Sequence, residues 1–211
     1  MDTVTVFGAS GRTGMFLVKE ALLRGLHVRA HCRPGSPLRV TDNRLKVIRG
    51  DILDPGILRQ AMEGAACVFM AIGPHMKEPE PFTASATAGV ILSMKECGCR
   101  RLLCVTGAMI GEGYMNRTLP FSLMARLARR KMPGLMDDRE TQEAAVKHSG
   151  LDWTIFKPPL LTDGPRREEI VHGEGISMGL GSKLGRADLA RFMLDAAGSG
   201  SFIHKAVFLR Y

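Results

Sequence analysis

Three glycines at positions 8, 11 and 14 carry the strongest chemical signal in the chain. The segment Gly8-Ala9-Ser10-Gly11-Arg12-Thr13-Gly14 follows a β-branched run, Thr3-Val4-Thr5-Val6-Phe7, and leads into an amphipathic stretch. In that context each glycine has a physical task. Gly8 lets the chain turn sharply off a strand, Gly11 removes a side chain where backbone must approach an anion, and Gly14 lets a helix pack closely on the strand. The free N–H groups and the positive end of the helix dipole then hold a phosphate. The spacing is GxxGxxG, one residue longer in its first gap than the GxGxxG dinucleotide fingerprint, and the expected ligand is the diphosphate of a dinucleotide.

The residues after the second strand pattern bear on which dinucleotide. A site for NAD usually carries an acid about 20 residues beyond the turn, to bond the ribose hydroxyls. Here no acid follows that strand until Asp42; Arg33 stands at its end and Arg12 lies inside the turn. Two guanidinium groups converging there suit a 2′-phosphate, so NADP(H) is expected over NAD(H). The other reading of Arg33 is an exposed loop cation. Asp51-Ile52 is placed to meet an adenine ring, with the carboxylate accepting from the exocyclic amine. Ala71-Ile72-Gly73 and Thr106-Gly107 add small residues at strand ends, where a nicotinamide ribose needs close approach. The expected cofactor set is thus Gly8, Ala9, Ser10, Gly11, Arg12, Thr13, Gly14, Arg33, Asp51, Ile52, Ala71, Ile72, Gly73, Thr106 and Gly107.

Catalytic groups are harder to find. Thr106, His75 and Lys157 are the candidates. His75 lies in a loop beside the crevice, though such a histidine is more often simply solvated. Lys157, at the end of a strand beside Pro158-Pro159, is expected to point to the same mouth and steer an acidic substrate, the alternative being an ion pair with a helix acid. Met76, Met109, Pro159 and Leu160 supply apolar walls for a flat ligand. Glu140 and Glu143 with Lys147 have helix-surface spacing and read as structural, with Asp137-Asp138 opening that helix. No metal is expected, because Cys97-Gly98-Cys99 lacks a second ligand pair.

These groups need a scaffold. Strand patterns at His27 to Cys32, Leu45 to Arg49, Cys67 to Ala71, Arg101 to Thr106, Asp152 to Lys157 and Ala206 to Leu209 follow the first one. Helical patterns at about 13–24, from Pro55, 81–97 and 187–197 intervene. The continuous apolar run Leu102-Leu103-Cys104-Val105 suits a parallel strand covered on both faces. Alternating β and α predicts an α/β fold of Rossmann type, a doubly wound parallel sheet with helices on both faces. Its expected extent is a single domain over 1–211. The stretch at about 109–134 breaks the rhythm, being basic and glycine-containing with Leu119-Pro120-Phe121 before a helical pattern. Inserted after a strand end, it reads as a lid over the crevice, or else as a surface excursion without substrate contact.

Composition sets the outer limits. With 211 residues, 45% of them hydrophobic and 24% charged, the chain is globular rather than disordered, collagen-like or coiled-coil. No apolar run reaches the roughly 18 residues of a membrane span, and Met1-Asp2-Thr3-Val4 has no basic n-region or apolar signal core, so secretion is not expected. The odd count of cysteines, mostly inside apolar runs, reads as reduced packing residues of a cytoplasmic protein. The net charge of +8 includes Arg117, Arg126, Arg129, Arg130 and Lys131, without interleaved aromatics, so a nucleic-acid partner is not expected.

Val6 to Gly14, Gly50-Asp51-Ile52-Leu53-Asp54-Pro55, Ala71-Ile72-Gly73, Gly150 to Pro158 and Arg186-Ala187-Asp188-Leu189-Ala190 together resemble the atypical short-chain dehydrogenases/reductases. That group includes NmrA-like proteins and the flavin and biliverdin-IXβ reductases. The resemblance spans nearly the whole chain and implies an NADPH-dependent reductase or a dinucleotide-binding regulator. Two departures stand out. Neither Tyr114 nor Tyr211 begins a Tyr-x-x-x-Lys, and the serine and histidine of the biliverdin-type reductases are replaced by Gly107 and Leu160. Hydride transfer to an isoalloxazine does not strictly need a protein acid, and reduction of a planar conjugated acceptor, a flavin, quinone or bilin, by direct hydride transfer is the expected function. A non-catalytic NADP(H) sensor is the alternative, with a nucleotide-sugar epimerase-like enzyme behind it. The expected partner is a small aromatic molecule, and the chain is expected as a monomer or homodimer.

Overall fold

The computed structural model describes residues 2–73, 81–111, 116–167 and 169–211. Among them, eight strands form one sheet in the order β3-β2-β1-β4-β5-β6-β10-β8. Strands β1 (Thr3–Phe7), β2 (His27–Cys32), β3 (Leu45–Arg49), β4 (Cys67–Met70), β5 (Arg101–Val105), β6 (Asp152–Lys157) and β10 (Lys205–Arg210) run parallel. Only β8 (Val171–Gly173) is antiparallel, against β10. The chain starts in the middle with β1, builds outward through β2 and β3, then returns to β4 on the other side. That reversal between β1 and β4 opens a crevice at their carboxyl ends, where ligands of doubly wound sheets bind. The expected α/β architecture is the one found.

Alternation along each strand divides the core. Val4, Val6, Leu103 and Val105 face α1 (Arg12–Leu23) and α6 (Arg186–Ser199), while Phe7, Val68, Leu102 and Cys104 face α2 (Pro55–Met62), α3 (Thr83–Glu96) and α5 (Pro133–Lys147). Opposite faces receive successive residues because side chains on a strand have a period of two. Helix α2 starts where its sequence dictates, with Pro55 in the first turn and Asp54 accepting from the Gly56 amide at 2.7 Å. Helix α3 begins at Thr83, where the Asp138 carboxylate of α5 accepts from the Thr83 and Ala84 amides at 3.0 and 2.9 Å. This borrowed cap joins two helices across 55 residues of chain. Helix α5 begins at Pro133, so Asp137 and Asp138 lie in its second turn rather than opening it.

The stretch after β5 contains α4 (Leu119–Lys131), a helix that buries only Phe121 and Ala125 and packs on α5. Arg117 pins the approach to it, donating to the carbonyls of Ala108, Ile110 and Gly111. A second, two-stranded sheet pairs β7 (Leu160–Thr162) with β9 (Lys183–Gly185). No helix among the described residues is long and apolar enough to cross a membrane. Cys32, Cys67, Cys99 and Cys104 are buried and Cys97 is exposed, all five as free thiols.

Candidate functional site

At the crevice, Gly8 has φ +77°, and a Cβ there would lie 2.7 Å from the Ala71 carbonyl of the neighbouring loop. A Cβ on Gly14 would lie 2.0 Å from the Gly8 carbonyl. Both positions therefore require glycine, one for conformation and one for contact. Helix α1 opens beyond them with no side-chain cap and no acid in its first turn. Among the described residues the amides of Arg12, Thr13 and Gly14 have no protein acceptor. Uncapped amides at a helix N-terminus form a ready anion site.

A cavity of about 420 Å³ adjoins this turn, and Gly8, Ser10, Gly11, Ile52, Ile72 and Gly73 line it. Arg33, Ser36 and Arg39 close its far end, with the loop between them held by an Arg49 guanidinium bond to the Ser36 carbonyl at 2.6 Å. Arg33 and Arg39 are exposed and have no acidic partner among the described residues. One expectation needs correction here. Arg12 does not converge with Arg33: its guanidinium pairs with Asp163 at 2.5 Å, away from the cavity lining. Asp51 is exposed and accepts from the Leu53 amide at 2.9 Å, shaping its own turn, while Ile52 reaches the cavity. The sequence reading also missed two residues. His31, on a strand, lines the cavity with Nε2 3.1 Å from the Gly50 carbonyl, and burial holds its pKa below the usual histidine value. Arg39 lay in a stretch without periodicity, and only its charge marked it.

A second cavity, of about 510 Å³, lies under α4. Met109, Pro159 and Leu160 line it as expected, with Thr106 and Gly107 at its inner end. Helices α4 and α5 add Phe121, Met124, Ala128, Met136 and Arg139. The Arg139 guanidinium donates to the Ile72 carbonyl at 3.1 Å, and so spans from this chamber to the rim of the first cavity. His75 and Met76 lie outside the described residues.

Lys157 does not face the mouth. Only 1% of it is exposed, and its Nζ donates to both Glu143 oxygens at 2.7 and 2.9 Å and to the Ile110 carbonyl at 2.5 Å. Burial draws its pKa down, while the Glu143 carboxylate opposes that shift. Glu143 is correspondingly no surface residue: it is 2% exposed and also accepts the Thr106 hydroxyl at 2.6 Å. Gly111, at φ +58°, completes the enclosure, since a Cβ would come within 2.6 Å of Glu143 Oε2. The Thr106 proton is therefore committed to Glu143, which leaves the hydroxyl oxygen to accept from the chamber.

A family model described as NAD(P)H-binding matches residues 8–199. Cinnamoyl-CoA reductase 1 of Oryza sativa subsp. japonica is 36% identical over 123 residues, covering 54% of this chain but only 36% of that protein's length. An oxidoreductase of Pestalotiopsis microspora is 26% identical over 218 residues, covering 93% of this chain and 80% of its own. Among solved structures, a wide-type short-chain dehydrogenase/reductase from Veillonella parvula, in complex with NADP, superposes with a TM-score of 0.81 at 18% identity, covering 100% of this chain and 94% of that one. ChuY, an anaerobillin reductase of Escherichia coli O157:H7, gives 0.82 at 19% identity, with 99% and 96% covered. At those identities the structural likeness carries the fold, and the family match carries membership. The chain belongs to the NAD(P)H-binding family and has the α/β fold of short-chain dehydrogenases/reductases.

Proposed function

We propose that this protein is an NADPH-dependent oxidoreductase that delivers hydride to a planar conjugated acceptor, of flavin, quinone or bilin type, held under α4. The observation that carries the reading is a pair of cavities, one lined by the residues after β4 and the other by those after β5, strands that pair side by side, with Arg139 of the second bonded to the Ile72 carbonyl of the first. One has the glycine turn and unpaired arginines; the other is apolar. The residues fit the cofactor: a Cβ at Gly8 or Gly14 would fill the turn, and the open amides of α1 match a diphosphate. Arg33 and Arg39 are the groups for a 2′-phosphate, which supports NADP(H) over NAD(H). Ile72 and Gly73 flank the nicotinamide end.

When bound, the cofactor supplies a hydride. The chain's own contribution is placement: the walls from Met109, Met124 and Phe121 exclude water and hold a flat ring at the end of β5. Thr106 accepts a hydrogen bond from the ligand and fixes its orientation. With Lys157 sealed in its ion pair and the Thr106 proton given to Glu143, no ready acid faces the chamber from these positions. Acceptors whose reduced anion is stable enough to take its proton from water after release are therefore favoured over simple ketones. The same observation supports a second reading, a non-catalytic NADP(H) sensor whose lid reports occupancy.

Anaerobic mixing with NADPH and a panel of FMN, quinones and bilins separates the two. Consumption of NADPH with any acceptor supports the enzyme. Dinucleotide binding without turnover across the panel supports the sensor, and absence of binding removes both.

A further inference from the structure

Arg139 occupies an unusual position for a cation. It is 8% exposed, on the inward face of α5, and it lines the apolar chamber. Its bonds among the described residues go to neutral groups through Nη1: the Ile72 carbonyl at 3.1 Å and Gln142 Oε1 at 2.7 Å. Nε and Nη2 have no partner among the described residues, yet neither atom is sealed off from the chamber. Each neighbouring acid is otherwise engaged. The Asp138 carboxylate caps α3, and Glu143 holds Lys157 and Thr106. The Cys104 thiol is pushed up to about 12 by burial and stays neutral. Arg186, the other cation among the described residues that line the chamber, pairs with Asp163 at 2.8 Å.

A guanidinium held out of water without a direct ion pair is costly, and the nearby Asp138 and Glu143 carboxylates offset that cost only at a distance. Its planar fork still presents two free donors, a geometry matched to a carboxylate. We infer that Arg139 is an anion receptor of the lid chamber, and that the natural acceptor is an apolar, conjugated molecule bearing a carboxylate or an enolate-type oxygen that meets this guanidinium beside the nicotinamide end of the crevice. The inference rests on reading the chamber as the acceptor site. It narrows the acceptor to an acidic one, and the methionine walls at 109, 124 and 136 accommodate variation in its flat body.

Calorimetry with naphthoate and its neutral amide, naphthamide, tests this in the full chain, with and without NADP⁺. The wild-type protein is expected to bind the carboxylate about tenfold or more tightly than the amide, the ratio a charge-assisted bond confers. Arg139→Gln should bring the two affinities together by weakening naphthoate alone, with Arg139→Lys retaining part of the preference. Ala128→Trp, which plugs the chamber from the lid helix, should abolish both. The wild-type ratio and the Ala128→Trp result need no change at Arg139, so poor folding of Arg139→Gln does not shield the proposal. Equal wild-type affinities, a preference that survives in Arg139→Gln, or naphthoate binding untouched by Ala128→Trp would each overturn it. NADPH affinity is measured separately by fluorescence. Normal NADPH affinity without carboxylate preference sinks this inference alone, whereas carboxylate preference without dinucleotide affinity upholds Arg139 as an anion receptor but overturns the identification of its anion as a hydride acceptor, along with the cofactor reading. Loss of NADPH affinity in Arg139→Gln with naphthoate preference intact would assign the guanidinium to the cofactor and overturn the proposal.

Discussion

Arg33 and Arg39 are exposed cations beside a cavity whose other walls are small or apolar, and neither has an acid to pair with among the described residues. A phosphate monoester reaching that end would meet both, and each charge-assisted bond is worth about 1.5–3 kcal/mol. Arg33→Ala should therefore weaken NADPH binding by about that amount while leaving NADH within about twofold. Parallel loss for both nucleotides in a fluorescence titration would detach Arg33 from the 2′-phosphate. His31 sits deeper in the same cavity and makes a different prediction. Burial lowers its folded pKa below the unfolded value of about 6.5. As pH falls, the unfolded chain takes up the proton first, so the stability that the neutral ring contributes is complete above about 6.5 and is lost toward the lower folded value. The denaturant midpoint should thus fall more steeply for wild type than for His31→Phe between about pH 7.5 and about pH 5. Parallel curves would mean that the ring titrates freely in the folded protein.

At the scale of elements, α5 decides the site. Asp138, Arg139, Gln142 and Glu143 all face inward with Val146, each bonded to a different part of the fold. Lys157→Met should cost about 3–5 kcal/mol in chemical denaturation, because it leaves the Glu143 carboxylate buried and unpaired. Lys157→Met with Glu143→Leu should recover most of that loss; additive penalties would show that the two do not act as a pair. This helix also marks the boundary of what the sequence discloses. Strand β1, the glycine turn and α1 are legible because backbone geometry and period both point one way, and β6 ends where Pro158-Pro159 requires. The 138, 139, 142, 143 spacing equally puts those residues on one face, but three charged side chains and an amide read as solvent-facing. Their partners, Lys157, Thr106 and the start of α3, lie far along the chain, and only the fold brings them near. For the same reason the ion pair of Arg12 with Asp163 has no local signature. Strands β7, β8 and β9, at three residues each, are too short to show alternation.

For the whole molecule, the crevice draws on parts of the chain that meet only in the folded state. The turn after β1, the 33–39 loop after β2 and the end of β4 all line one cavity. A ligand spanning them binds the native protein and not the unfolded chain, so its binding free energy appears as stability. At 100 times its dissociation constant that gain is about 2.7 kcal/mol. For a chain of this length each kcal/mol moves the melting temperature by about 2–4 °C, so NADPH should raise it by roughly 5–10 °C. NADH at the same concentration should give a smaller shift, since it brings no phosphate to Arg33 and Arg39. In Arg33→Ala the gap between the two nucleotides should narrow, with the ligand-free melting temperature nearly unchanged because an exposed, unpaired side chain has been removed. Equal shifts by NADPH and NADH in the wild type would break the link between the arginine pair and NADP(H), yet leave the glycine turn as a diphosphate site. No shift with either nucleotide would empty the crevice of its proposed ligand altogether, whatever the family membership of the fold.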